Sequence, residues 1–186
     1  MKTYPFALFL HIVGALGFFL ALGLEWTSLR QIRRATNTEQ FREWMRMINS
    51  TRRVGGPSVL LILITGFYMT VTARIGGPWI IVTLGTIVLL IVVGAALSGP
   101  RMAAIGKVLA NEHGPLSHNL QNLANHPLLW ISIQTRMWLA LGIVFLMAVK
   151  PNLAGSLLAI GVAAILGIAT ALPIPRREQA QTGSAD

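Results

Sequence analysis

The sequence predicts an all-α, polytopic transmembrane bundle of five helices, with the N-terminus outside and the C-terminus cytoplasmic. Three observations predict it. Five apolar runs, residues 5–29, 54–73, 79–98, 128–149 and 153–172, are each long enough to cross ~30 Å of hydrocarbon at ~1.5 Å per helical residue. The chain is 54% hydrophobic and 11% charged, too apolar for a water-soluble domain of 186 residues. Its basic residues gather on alternate sides of the runs. Arg30, Arg33, Arg34, Arg42, Arg46, Arg52 and Arg53 lie between the first and second, Arg101 and Lys107 between the third and fourth, and Arg176 and Arg177 after the fifth. The other side has Lys2, Arg74 and Lys150, so the positive-inside rule sets the orientation. The net charge of +9 therefore reports topology and anionic headgroups of the bilayer, with no nucleic acid implied. A multi-pass protein of the plasma (inner) membrane is expected, one transmembrane domain over residues 1–174 with a disordered tail, 175–186.

The first run is longer than the ~7–15 residues of a signal-peptide core and ends in Glu25-Trp26, so it is expected to be retained as a span. At 100° per residue, His11, Gly14, Ala15, Phe18, Ala21, Leu22 and Glu25 share one side, with Gly17 and Ser28 at its edge. Small residues allow close helix approach, so this side should face protein. Ile12, Val13, Leu16, Phe19, Leu20, Leu24 and Trp26 form the opposite, lipid-facing side.

Residues 37–50 predict a separate interfacial helix. Thr36 and Glu39 have capping-box spacing, and Phe41, Trp44, Met45 and Ile48 recur at helical intervals. An extension of the first helix docked on the second is the alternative reading. Val54-Gly55-Gly56-Pro57 should break the chain before the second span. Gly76-Gly77-Pro78 marks a tight turn, and Gly99-Pro100 should end the third span. The loop 100–127 predicts two short helices divided at Gly114-Pro115. It holds His113, His118 and His126, whose spacing matches no zinc pattern; these are read as solvated or interfacial, and no metal site is expected. In the fifth span Gly155, Ala159, Ala163, Gly167 and Ala171 form a small-residue ridge. It could pack within the chain, against a second copy in a homodimer, or against another membrane subunit.

Chemistry is constrained by what is missing. With no cysteine, disulfides, thiolate metal sites, iron–sulfur clusters and thiol catalysis are all excluded. No nucleophile–base pair, phosphate-cradling loop or pair of catalytic carboxylates is evident. Three ionisable residues fall within spans, where each costs ~2.5–3.5 kcal/mol to insert. Glu25 and Arg136 both fall in the inner half, and an intramembrane ion pair joining the first and fourth spans is expected. His11 belongs to the outer half, where Tyr68, Met69, Thr72, Thr83, Thr86 and Met147 are expected at similar depth. Its imidazole is either hydrogen-bonded across helices or a ligand for haem iron or copper, with Met69 and Met147 as further candidates.

Leu10-His11-Ile12-Val13-Gly14, Thr65-Gly66-Phe67, Trp79, and Arg136 followed by Val144-Phe145-Leu146-Met147 and Lys150-Pro151 resemble a family of small predicted integral membrane proteins of unknown function. That family is distantly similar to the HemJ-type protoporphyrinogen oxidases and to CopD-like membrane domains. The resemblance implies haem b at His11, an activity-linked arginine at Arg136, and a haem-dependent membrane oxidoreductase. The lysine of the HemJ pattern near the start of the third span is absent, so haem binding rather than the oxidase reaction is what carries over. Copper handling and a non-catalytic membrane subunit or assembly partner are the alternative functions.

Overall fold

In the computed structural model, which describes residues 3–74, 76–112 and 114–172, the chain forms seven α-helices and one π-helical turn. They are α1 (Tyr4–Ile32), α2 (Thr38–Thr72), α3 (Pro78–Val93), the π turn (Gly94–Ser98), α4 (Gly99–Asn111), α5 (His118–Ala124), α6 (Pro127–Val149) and α7 (Leu153–Ala171). Five helical stretches are long and apolar enough to cross a membrane. Phe67 and Ile81 are each 74% exposed, a surface tolerable only against lipid tails. The chain is a multi-pass membrane protein with an all-α bundle fold. His113 and the tail expected to be disordered lie outside the described residues.

The basic ends of the helices build a small cap with its own core. Phe41, Met45 and Ile48 of α2 are buried with Ile105 and Leu109 of α4 and Leu120 of α5. The expected interfacial helix is therefore the first half of α2, which runs unbroken through Pro57 into the span. Its apolar stripe faces protein instead of the leaflet surface. The cap of α2 is Asn37, whose Oδ1 accepts from Gln40 N–H at 2.9 Å, while Gln40 Oε1 accepts from Thr36 N–H at 3.2 Å. This places the reciprocal cap one residue later than the Thr36/Glu39 spacing suggests. Arg42 donates to the carbonyls of Leu109 and Glu112, tying the end of α4 to α2.

Gly99-Pro100 does not end the third span either. The π turn carries the helix past it, and Pro100 is taken up at the junction between the π turn and α4. The helical path runs from Pro78 to Asn111. His126 caps α6 by accepting from Leu128 N–H. Beside it the Trp26 and Trp130 rings lie 5.8 Å apart, with Arg30 over the first and Arg33 over the second. Burial alone pulls the Arg33 guanidinium below the usual arginine range. Trp26 thus belongs to the protein side, not the lipid side.

Two close crossings hold the spans. Against α6, a Cβ on Gly167 would stand 2.6 Å from Thr135 Cα, and one on Gly142 would stand 3.2 Å from Ala163 Cβ. Ala163, Gly167 and Ala171 are buried, so the inner part of the ridge packs within the chain; Gly155 and Ala159 are half-buried. The other crossing joins α1 to α2 and sets the register of the site.

Candidate functional site

Antiparallel α1 and α2 approach so closely that glycine is needed on both. A Cβ on Gly14 would meet Ile62 Cγ1 at 3.0 Å, and one on Gly17 would meet Ser58 Oγ at 2.5 Å. Gly55 lies against Ala21, and Gly66 lies against the His11 ring. Each step along α1 is matched by an equal step back along α2, and this register sets His11 beside Thr65.

The His11 ring is buried, and Nδ1 lies 3.0 Å from Thr65 Oγ1. Thr65 has a single hydroxyl proton, and the Leu61 carbonyl takes it at 2.6 Å. The Thr65 oxygen is therefore the acceptor toward His11, Nδ1 carries the proton, and Nε2 keeps its lone pair. Nε2 has no hydrogen-bond partner among the described residues.

His11 lines a cavity of about 600 Å³ between the α1–α2 pair and α3, the π turn and α6. The cavity exists because α2 and α3, though joined by a short turn, barely touch, while α1 packs on α6. Phe18, Phe19, Ile87, Leu90 and Ile143 make its walls apolar. Phe19 was expected to face lipid; the inward side of α1 is wider than the small-residue stripe alone.

At the basic end Arg136 Nη2 donates to Glu25 Oε1. The side chains are 12% and 16% exposed. Gly94, at the start of the π turn, leaves room for the Arg136 stem; a Cβ there would lie 3.4 Å from Cδ. Beneath it Ser98 Oγ donates to Ser132 Oγ at 2.9 Å. Arg52 lines this end too, a residue the sequence assigned only to orientation.

The structure brings His11, Met147, Glu25 and Arg136 to one cavity and leaves Met69 out of its lining. Thr83 and Thr86 are buried but also stand outside the lining, and Tyr68 bonds Thr3 instead. Thr65 is the partner missed by matching depths along straight helices; the crossing of Gly14 on Ile62 places it there. Among the described residues no group of three or more His, Cys, Asp or Glu side chains gathers to hold a metal ion. No protein-family model, curated protein or solved structure matches the chain.

Proposed function

We propose that this chain is an inner-membrane protein that binds haem b in its intramembrane cavity, with His11 as axial ligand, in a redox role. The basic end is cytoplasmic on this reading, by its excess of arginine. The observation that carries it is the state of the His11 ring. A histidine that only bridges helices spends its polar atoms on protein, whereas this one engages Nδ1, has no partner for Nε2 among the described residues, and lines the cavity. Fixing one ring nitrogen so that the other can ligate is the usual arrangement at metal centres.

The donor set and surroundings fit an iron porphyrin. The apolar walls suit a macrocycle, the volume lies within the ~300–1,000 Å³ of ligand pockets, and the Met147 thioether lines the same space. Copper handling is less well supported, since soft-metal sites gather several such ligands and Met69 stands apart. Bound haem would supply one-electron transfer. The chain's own residues then have plain tasks. Thr65 fixes the tautomer and orientation of His11, Gly66 leaves space for the ring, and Phe18, Phe19 and Leu90 keep water away. Helix α1, pinned to α2 at Gly14 and Gly17, holds His11 in place.

The test is an absorption spectrum of the detergent-purified protein, before and after addition of haemin. A Soret band is expected in the wild type and should be lost in His11→Ala that still elutes as a folded monodisperse species. A wild type that elutes without haem after haemin addition and removal of the excess, or a band unchanged in His11→Ala, overturns the reading.

A further inference from the structure

The basic end of the cavity carries charged groups far from His11 along the helix axis. Glu25 lies about four helical turns from His11, ~21 Å along α1. Glu25, Arg136 and Arg52 line that end, so two cations face one carboxylate and one positive charge is left uncompensated. Arg136 is also only partly used. Nη2 meets Glu25, while Nε is buried without a hydrogen-bond partner and Nη1 donates to nothing among the described residues. A guanidinium with unused N–H donors in an apolar enclosure is suited to an anionic oxygen.

The cavity is not sealed. Ile91 of α3 and Val144 of α6 line it, are 55% and 46% exposed, and belong to membrane-spanning stretches. Its accessible walls therefore lie at the level of the lipid tails. Arg52 is exposed at the edge of the apolar run, where headgroups lie. An aqueous anion would gain nothing from such apolar walls, whereas an amphiphile uses both the walls and the charge.

We propose that the Arg52–Arg136–Glu25 end of the cavity binds the phosphodiester headgroup of an acidic membrane lipid, whose chains pass out beside Ile91 and Val144. Its single negative charge matches the single uncompensated positive one. The site lies at the opposite end of the same cavity from His11, and its test does not require haem.

The full-length protein in mild detergent, given equal amounts of dioleoyl phosphatidylglycerol and dioleoyl phosphatidylcholine, is read by native mass spectrometry. The wild type should retain one phosphatidylglycerol per chain with roughly tenfold preference, the scale of one charge-assisted hydrogen bond. Arg52→Gln should bring the two lipids near parity, and so should Glu25→Gln with Arg136→Gln, which keeps a neutral hydrogen-bonding pair. Ile91→Trp should reduce retention with every charge in place. His11→Ala should leave the preference unchanged, whatever becomes of haem. Equal retention of both lipids by the wild type, an undiminished preference in Arg52→Gln, or displacement of the lipid by millimolar inorganic phosphate overturns the proposal. Arg52 is exposed and outside the ion pair, so its variant tests the site even if the paired substitutions prevent folding.

Discussion

Removing one member of the Glu25–Arg136 pair should cost different amounts depending on which member goes. The three charges at this end of the cavity sum to +1 in the wild type. Glu25→Gln raises the sum to +2 and leaves Arg136, with a side chain only 12% exposed, facing Arg52 without an anion. Arg136→Met lowers the sum to zero and leaves Glu25 facing Arg52, a cation that can take over part of the neutralisation. Orphaning a buried charge costs ~3–5 kcal/mol. Glu25→Gln should fall near the upper figure and Arg136→Met near or below the lower, because the cavity is open and holds a spare cation. Glu25→Gln with Arg136→Met removes both charges and should lie within ~1 kcal/mol of wild type. The coupling energy should then exceed ~3 kcal/mol, well beyond that of an exposed pair. The exchange Glu25→Arg with Arg136→Glu keeps the sum at +1 and should recover folded protein lost in each single change. Reversible unfolding in mixed detergent micelles measures all four variants. If Arg136→Met proves costlier than Glu25→Gln, or the neutral double variant is no better than the worse single one, the charge accounting for this cavity is wrong.

Glycine-to-alanine substitutions in α7 should have opposite signs six residues apart. Gly161 has open space where its Cβ would go, so Gly161→Ala should stabilise by ~0.5–1 kcal/mol through helix propensity. Gly167→Ala drives a methyl into the Thr135 backbone and should destabilise by a net ~1–2 kcal/mol, read by the same unfolding assay. Equal effects at the two positions would mean that α6 and α7 do not cross there. Lys150 ends α6 in the left-handed region, φ 51°, with its N–H on Leu146 O. Lys150→Gly should relieve ~1 kcal/mol and raise the melting temperature by roughly 2–4 °C, without changing lipid or haem binding.

What could be read from the sequence, and what could not, divides on whether a feature depends on one helix or on a crossing. The spans follow from length and hydropathy. The pairing of Glu25 with Arg136 is legible because charges in hydrocarbon need partners and depth is countable along a helix. Local breaker rules misplace the helix ends. Val54-Gly55-Gly56-Pro57 and Gly99-Pro100 both predict a stop, yet both are continuous, because the cap core around Phe41 and Leu120 holds α2 and α4 in line with their spans. The partner of His11 fails for a related reason. Equal depth along straight, parallel axes points to Tyr68, Met69 and Thr72, about one to two turns beyond the true neighbour.

The correction lies in glycines whose meaning is pairwise. Gly14 matters because Ile62 sits opposite, Gly17 because Ser58 does, and Gly66 because His11 does. Either helix alone shows a small-residue stripe without saying which notch meets which ridge. Once Gly14 is set on Ile62 and Gly17 on Ser58, antiparallel geometry leaves Thr65 as the hydroxyl within reach of Nδ1, and the tautomer of His11 follows from the bond Thr65 already makes to Leu61. The ligating capacity of Nε2 is thus a product of packing between two helices, and of a threonine whose hydroxyl proton is already committed.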